Sequence, residues 1–116
     1  MDLKKYEVFS RGYAMLPYNV IFDVNLSNTE KVLFSVLLAL SSTEAGHCWA
    51  RNKYLADILS VRPVTVSVSL KTLEKEGYIY FVFPDNDSAK RQIWIHEKMK
   101  RPITDPRAGT SQARGQ

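Results

Sequence analysis

The sequence predicts an α+β fold of three helices followed by a C-terminal β-hairpin. Three observations carry that reading. Apolar residues recur at helical spacing in three stretches between Ser27 and Glu76. A β-branched and aromatic run, Tyr78 to Phe83, is followed by the alternation of Gln92, Trp94 and His96 with Ile93 and Ile95. Between the two runs lies a turn cluster, Pro84-Asp85-Asn86-Asp87.

The first helix opens at Ser27. Ser27-Asn28-Thr29-Glu30 has capping-box spacing, in which the two side chains satisfy each other's orphan amides. Leu33, Val36, Leu37 and Leu40 make one apolar stripe, and Phe34 and Leu38 make a second. The helix is therefore expected to be covered on more than one side, with Tyr13, Tyr18 and Phe22 as the expected cover. Tyr13 to Leu16 reads as a short extended segment ended by Pro17, because the residue before a proline avoids the helical region. Ser41 to Gly46 break the helix, and Cys48-Trp49-Ala50 reads as a short strand with Cys48 in the core. A second helix is predicted over Asn52 to Leu59, with Asn52 as its cap and Leu55, Ala56 and Leu59 inward. Ser60-Val61-Arg62 is a tight turn. Pro63 suits the first position of a third helix, since its missing amide would be unpaired there in any case. That helix runs to Glu76 on a stripe of Val66, Leu70 and Leu73, and Gly77 terminates it.

The 116 residues fit one domain, and 45% hydrophobic with 24% charged residues is an ordinary globular composition. The expected boundaries are a flexible segment over residues 1–12, a domain over 13–98 and a disordered basic tail over 99–116. Val32 to Leu40 is the longest apolar run and Ser35 interrupts it, so it falls short of the ~20 residues a membrane span needs. The polar opening residues carry no signal-peptide pattern, and the single Cys48 excludes an internal disulfide. Both predict a cytoplasmic setting, most simply a prokaryotic or phage-infected cell. The formal charge of +4 is unevenly placed. Lys98, Lys100, Arg101, Arg107 and Arg114 against Asp105 supply all of it, so residues 1–97 are neutral.

The block from Tyr54 to Ile79 resembles bacterial winged helix-turn-helix sequences. The shared elements are Leu55-Ala56 with Leu59, Thr65-Val66 near the start of the third helix, and the closing Leu70, Leu73-Glu74-Lys75 and Gly77-Tyr78-Ile79. Leu16-Pro17, Leu26-Ser27 and Cys48-Trp49 resemble a narrower group, the helix-turn-helix domains of plasmid and phage replication initiators and related mobile-element regulators. The likeness spans residues 12–96. It departs at Val68, where such proteins often carry a basic residue, and at Pro63-Val64, where Ser or Arg is usual. The resemblance implies a winged helix-turn-helix whose third helix enters the major groove of duplex DNA.

On that helix Val64, Ser67, Val68 and Lys71 lie opposite the apolar stripe, with Thr65 beside them. Ser67 and Thr65 can hydrogen-bond bases or phosphates, and Val64 and Val68 can touch a thymine methyl. Arg62 in the turn can reach a phosphate or guanine. Arg51, Asn52 and Lys53 open the preceding helix, where backbone amides favour a phosphate. Lys90 and Arg91 lie in the wing. No catalytic signature is present: Gly12, Gly46, Gly77, Gly109 and Gly115 stand alone, and His47, Cys48 and His96 do not have zinc-site spacing. No enzyme activity, metal or cofactor is expected. Two readings stay open on sequence alone. One is a DNA-binding module of a plasmid, phage or conjugative element, acting at a replication origin or as a transcription regulator, as a homodimer or with a replication, conjugation or host protein. The other is a protein-interaction winged helix using Val64 and Val68.

Overall fold

Pro17, itself in an extended conformation, is also the cap of a helical turn. In the computed structural model, which describes residues 14–42 and 45–96, the Pro17 carbonyl accepts from the Val20 and Ile21 amides, both at 3.0 Å. The resulting helix α1, Tyr18–Ile21, is a fourth helix beyond the three expected. Expectations for residues 1–12, Tyr13 and 99–116 lie outside the described residues. The i,i+4 geometry of α1 puts Tyr18 and Phe22 on one face, where they stack at 6.0 Å and stay exposed. Val20, on the opposite face, is fully buried. Val20 and Leu26, not Tyr18 and Phe22, are therefore the inward-facing residues of this stretch.

Helix α2 spans Asn28–Leu40 and forms the capping box its sequence encodes. Ser27 Oγ accepts from the Glu30 amide at 3.3 Å, and Glu30 Oε1 accepts from the Ser27 amide at 2.8 Å. Leu33, Phe34, Val36, Leu37, Leu38 and Leu40 are all buried, so α2 is wrapped as its two stripes predict. It packs against α3 (Asn52–Leu59), α4 (Pro63–Lys75) and strand β2 (Gln92–Ile95). Phe34 meets the Tyr78 ring edge-on at 5.5 Å.

The predicted Cys48-Trp49-Ala50 strand is reduced to one antiparallel bridge. Cys48 and Ile93 exchange both backbone hydrogen bonds, at 2.8 and 2.9 Å. Cys48 is fully buried, and burial pushes its thiol up to about 11.

Helices α3 and α4 end in the same backbone device. The Val61 amide reaches back to the Ala56 carbonyl at 3.0 Å, and the Tyr78 amide to the Leu73 carbonyl at 3.0 Å. Each bond spans a left-handed residue, Ser60 at φ +57° and Gly77 at φ +84°. The first turn swings the chain from α3 into α4; the second swings it from α4 into β1 (Ile79–Val82). β1 and β2 pair antiparallel, with Ile79 opposite Ile95 and Phe81 opposite Ile93 on the core face. Tyr80, Trp94 and His96 occupy the outer face. Two short 3₁₀ turns, Pro84–Asn86 and Ser88–Lys90, form the tip of the hairpin. A helix–turn–helix supported by α2 and flanked by a hairpin is a winged helix-turn-helix. Among the described residues, no helix is long and apolar enough to cross a membrane.

Candidate nucleic-acid interface

Helix α4 divides cleanly between core and solvent. Val66, Ser69, Leu70 and Leu73 are buried. Val64 and Val68 are 62% and 58% exposed, Lys71 is exposed, and Thr65 and Ser67 are half-buried. Arg62 stands exposed at the cap position of α4, which has no side-chain cap. The sequence-predicted residues of α4 thus share its outer side.

That outer side has two unlike flanks. On one, Val64, Thr65 and Val68 line a hollow with Ser27, Thr29 and Glu30 from the start of α2. No cation lines it, and the Glu30 carboxylate there is bound to the Ser27 amide. On the other, Ser67 and Lys71 line a hollow with Asn52, Glu74, Arg91, Phe81 and Phe83. Here the wing and the start of α3 lie beside the recognition helix.

At the start of α3 the cap position belongs to Arg51, and Asn52 is the first helical residue. The expected Asn52 cap is therefore displaced by one position. Its side chain makes no cap hydrogen bond, and its Oδ1 is buried without a hydrogen-bond partner. Arg51 and Lys53 are exposed around this uncapped helix start. A third hollow, beside the wing-side one, joins Trp49, Arg51 and Asn52 to Ser88, Ala89 and Arg91 of the wing. Asn52 and Arg91 line both hollows, so the two form a continuous surface.

The two wing cations differ in their engagement. Arg91 turns inward: its Nη2 donates to the Ala50 carbonyl at 2.9 Å and its guanidinium lies 5.9 Å from the Phe81 ring centre. Burial lowers its pKa, yet a guanidinium stays charged at neutral pH. Lys90 pairs with Asp85 at 3.2 Å, with both side chains largely in solvent. Such a pair is worth ~0–1 kcal/mol and releases its lysine readily.

Acidic groups gather at the far end of α4. Asp23 accepts from the Tyr78 hydroxyl and from the Asn25 amide, and Glu76 accepts from the Asn25 side chain. Burial first, then the Asp23 hydrogen bond, raises the Tyr78 pKa well above the ordinary phenol value. The N-terminal half of α4, nearest Arg62, is thereby separated from Asp23 and Glu76.

Trp49 is the surface residue that the sequence reading left unassigned. Cys48 and Ala50 point into the core, and the indole between them is 52% exposed. The period-two alternation of this bridge segment is the signal that places it outside. Among the described residues, no group of three His, Cys, Asp or Glu side chains is placed to hold a metal ion.

Comparison with known proteins finds a similarity over the helix-turn-helix. A family model described as a helix-turn-helix domain matches residues 24–79, from just before α2 to the start of β1. No curated protein matches the chain. Among solved structures, a point mutant of Lactococcus lactis ZitR is similar at TM-score 0.47 and 22% identity, over 79% of this chain. The chain spans about half, 53%, of that ZitR chain. The protein carries a helix-turn-helix domain within a winged fold.

Proposed function

We propose that this chain binds duplex DNA by laying the N-terminal half of α4 in the major groove. The observation that carries the reading is the division of α4. Its core face is fully committed, while Arg62, Val64, Thr65, Ser67, Val68 and Lys71 face solvent together. Ser67 and Thr65 serve as hydrogen-bond donors and acceptors to base edges, and Val64 and Val68 as thymine-methyl contacts. Arg62, Lys71, Arg51 and Lys53 hold phosphates, with Lys90 following the backbone from the wing. Asn52 and Arg91 line the surface between them, and Arg91 contributes mainly field, since its hydrogen bond goes to Ala50. The biological setting proposed is a plasmid, phage or conjugative element, at a replication origin or a regulated promoter. Its support is the resemblance at Leu16-Pro17, Leu26-Ser27 and Cys48-Trp49.

Gel-shift titration of mixed-sequence duplex at stated salt tests the reading. Binding at low salt is expected. Each of Arg62→Ala and Lys71→Ala should flatten the salt slope by about 0.9 for the phosphate lost. Absence of duplex binding even at low salt sinks the proposal. Selection of bound oligonucleotides then tests the setting, since an origin-binding role predicts repeated or inverted half-sites.

A second reading has its own observation. The hollow where Val64, Thr65 and Val68 meet Ser27, Thr29, Glu30 and Ser69 has no cation in its lining, and its two exposed valines suit a protein surface as well as a thymine-rich groove. Val68→Asp separates the two by sedimentation. A change in assembly state with DNA affinity intact favours the protein-binding use of this flank.

A further inference from the structure

We infer that Trp49 is a DNA contact, its indole lying against the sugar–phosphate backbone beside the recognition helix while Arg51 and Lys53 hold the neighbouring phosphates. The inference rests on the DNA-binding reading and extends the interface beyond the residues that reading assigns.

Four observations place it there. Trp49 is a large apolar side chain left 52% exposed on a rigid support. Its neighbours are pinned on both sides: Cys48 exchanges two backbone hydrogen bonds with Ile93, and the Ala50 carbonyl accepts from Arg91. Little freedom is lost when such a ring meets a ligand. The Tyr54 ring lies 6.0 Å away at 32°, widening the aromatic surface. Arg51 and Lys53 line the same hollow, so the surface pairs an apolar plate with two cations. That combination matches a chain of deoxyribose and phosphate. Finally, the hollow on the wing side of Trp49 shares Asn52 and Arg91 with the hollow at Ser67 and Lys71. A strand leaving the groove beside Lys71 passes Asn52 and Arg51 and reaches the indole without leaving this surface. Asp57, one helical turn beyond Lys53, closes the far side of the Trp49 hollow with negative charge. The track therefore runs along the Arg51 side, toward the wing.

The test uses two independent readouts on the full chain: anisotropy of a labelled mixed-sequence duplex and intrinsic tryptophan emission. Trp94→Phe leaves Trp49 as the sole indole. The expected result is a saturable emission change with the same midpoint as the anisotropy. Trp49→Ala, a surface change whose folding circular dichroism checks, should weaken binding by about tenfold on every duplex sequence. Its salt slope should stay unchanged, because no phosphate charge is lost. Arg51→Ala should instead flatten the slope by about 0.9. Normal affinity of Trp49→Ala with a silent indole overturns the inference and leaves the DNA reading standing. Normal affinity with a changed sedimentation coefficient also overturns it, assigning the indole to a protein partner. No duplex binding by the unmodified chain overturns both.

Discussion

The two flanks of α4 are built from the same helix and differ in what their neighbours bring. On the flank facing α2, Val64, Thr65 and Val68 meet Ser27, Thr29 and Glu30, and no cation lines the hollow. On the flank facing the wing, Ser67 and Lys71 meet Asn52 and Arg91, and Trp49 and Arg51 continue the surface. Residues 1–97 sum to zero charge and the excess of +4 lies in residues 98–116, so no general basicity of the winged domain itself drives it onto nucleic acid. Attraction comes from where charge is placed: Lys71 and Arg91 line the wing-side hollow, next to the single carboxylate of Glu74, and no cation lines the other. The α2-side flank, with two exposed valines and no cation, is suited to reading shape and methyl groups. The wing-side flank, with Lys71 and Arg91, is suited to holding backbone.

The strongest way to break this comparison is to remove what both flanks stand on. Leu70 is 2% exposed on the core face of α4 and also borders the wing-side hollow. Leu70→Ala should cost about 2–5 kcal/mol, from lost burial plus a residual cavity. The check is the denaturant midpoint, with both flanks losing definition together. A loss under about 1 kcal/mol would show that the core collapses to fill the gap.

Arg91→Ala is next and acts on the wing-side flank alone. It strands the Ala50 carbonyl and removes the guanidinium from the Phe81 ring. The expected destabilisation is about 2 kcal/mol, the penalty for an unsatisfied buried acceptor plus a modest cation–π loss. The salt slope of DNA binding should change less than it does for Lys71→Ala, because Arg91 is tied to the protein. An equal slope change would make Arg91 a phosphate contact after all.

A smaller effect is expected at the exit of α4 into the wing. Gly77 sits at φ +84°, and a Cβ there would meet nothing within 4 Å. Gly77→Ala therefore isolates the backbone penalty of the left-handed region, about 1–2 kcal/mol. Calorimetry should show Tm falling by several degrees, in line with ~4–8 °C per kcal/mol for a domain of this size.

Features encoded within a few residues were legible in the sequence. The Ser27–Glu30 capping box, Pro63 at the start of α4, Gly77 after its end and the alternation in β2 all depend on neighbours in the chain. Four features were not legible, for physical reasons. Helix α1 follows from two amides sharing the Pro17 carbonyl, where a proline suggested only an end. Asn52 lost the cap position because the chain stays extended through Arg51. Arg91 turns inward to a carbonyl 41 residues away, which no local pattern encodes. Trp49 faces outward because the Cys48–Ile93 bridge fixes the alternation, and that pairing is long-range. The outer stripe of α4 could be read from helical periodicity. Its division into two flanks could not, because α2, α3 and the wing supply the difference.

The least expected effect lies at the other end of α4, and it tests whether the two turns are equivalent. Ser60 holds φ +57° where Gly77 holds φ +84°, and both turns close with the same backbone hydrogen bond of 3.0 Å. For a residue with a Cβ, the left-handed region costs ~1–2 kcal/mol. Glycine would relieve that strain, yet its greater freedom in the unfolded chain costs ~0.5–1 kcal/mol. Ser60→Gly should therefore raise stability by at most about 1.5 kcal/mol, seen as a small upward shift of the denaturant midpoint at constant m. The recognition helix keeps its position under this change, since the Val61 amide still reaches the Ala56 carbonyl. DNA affinity should be unmoved. A gain in stability accompanied by weaker binding would mean that the stiffness of Ser60, and not only its conformation, sets how α4 approaches the groove.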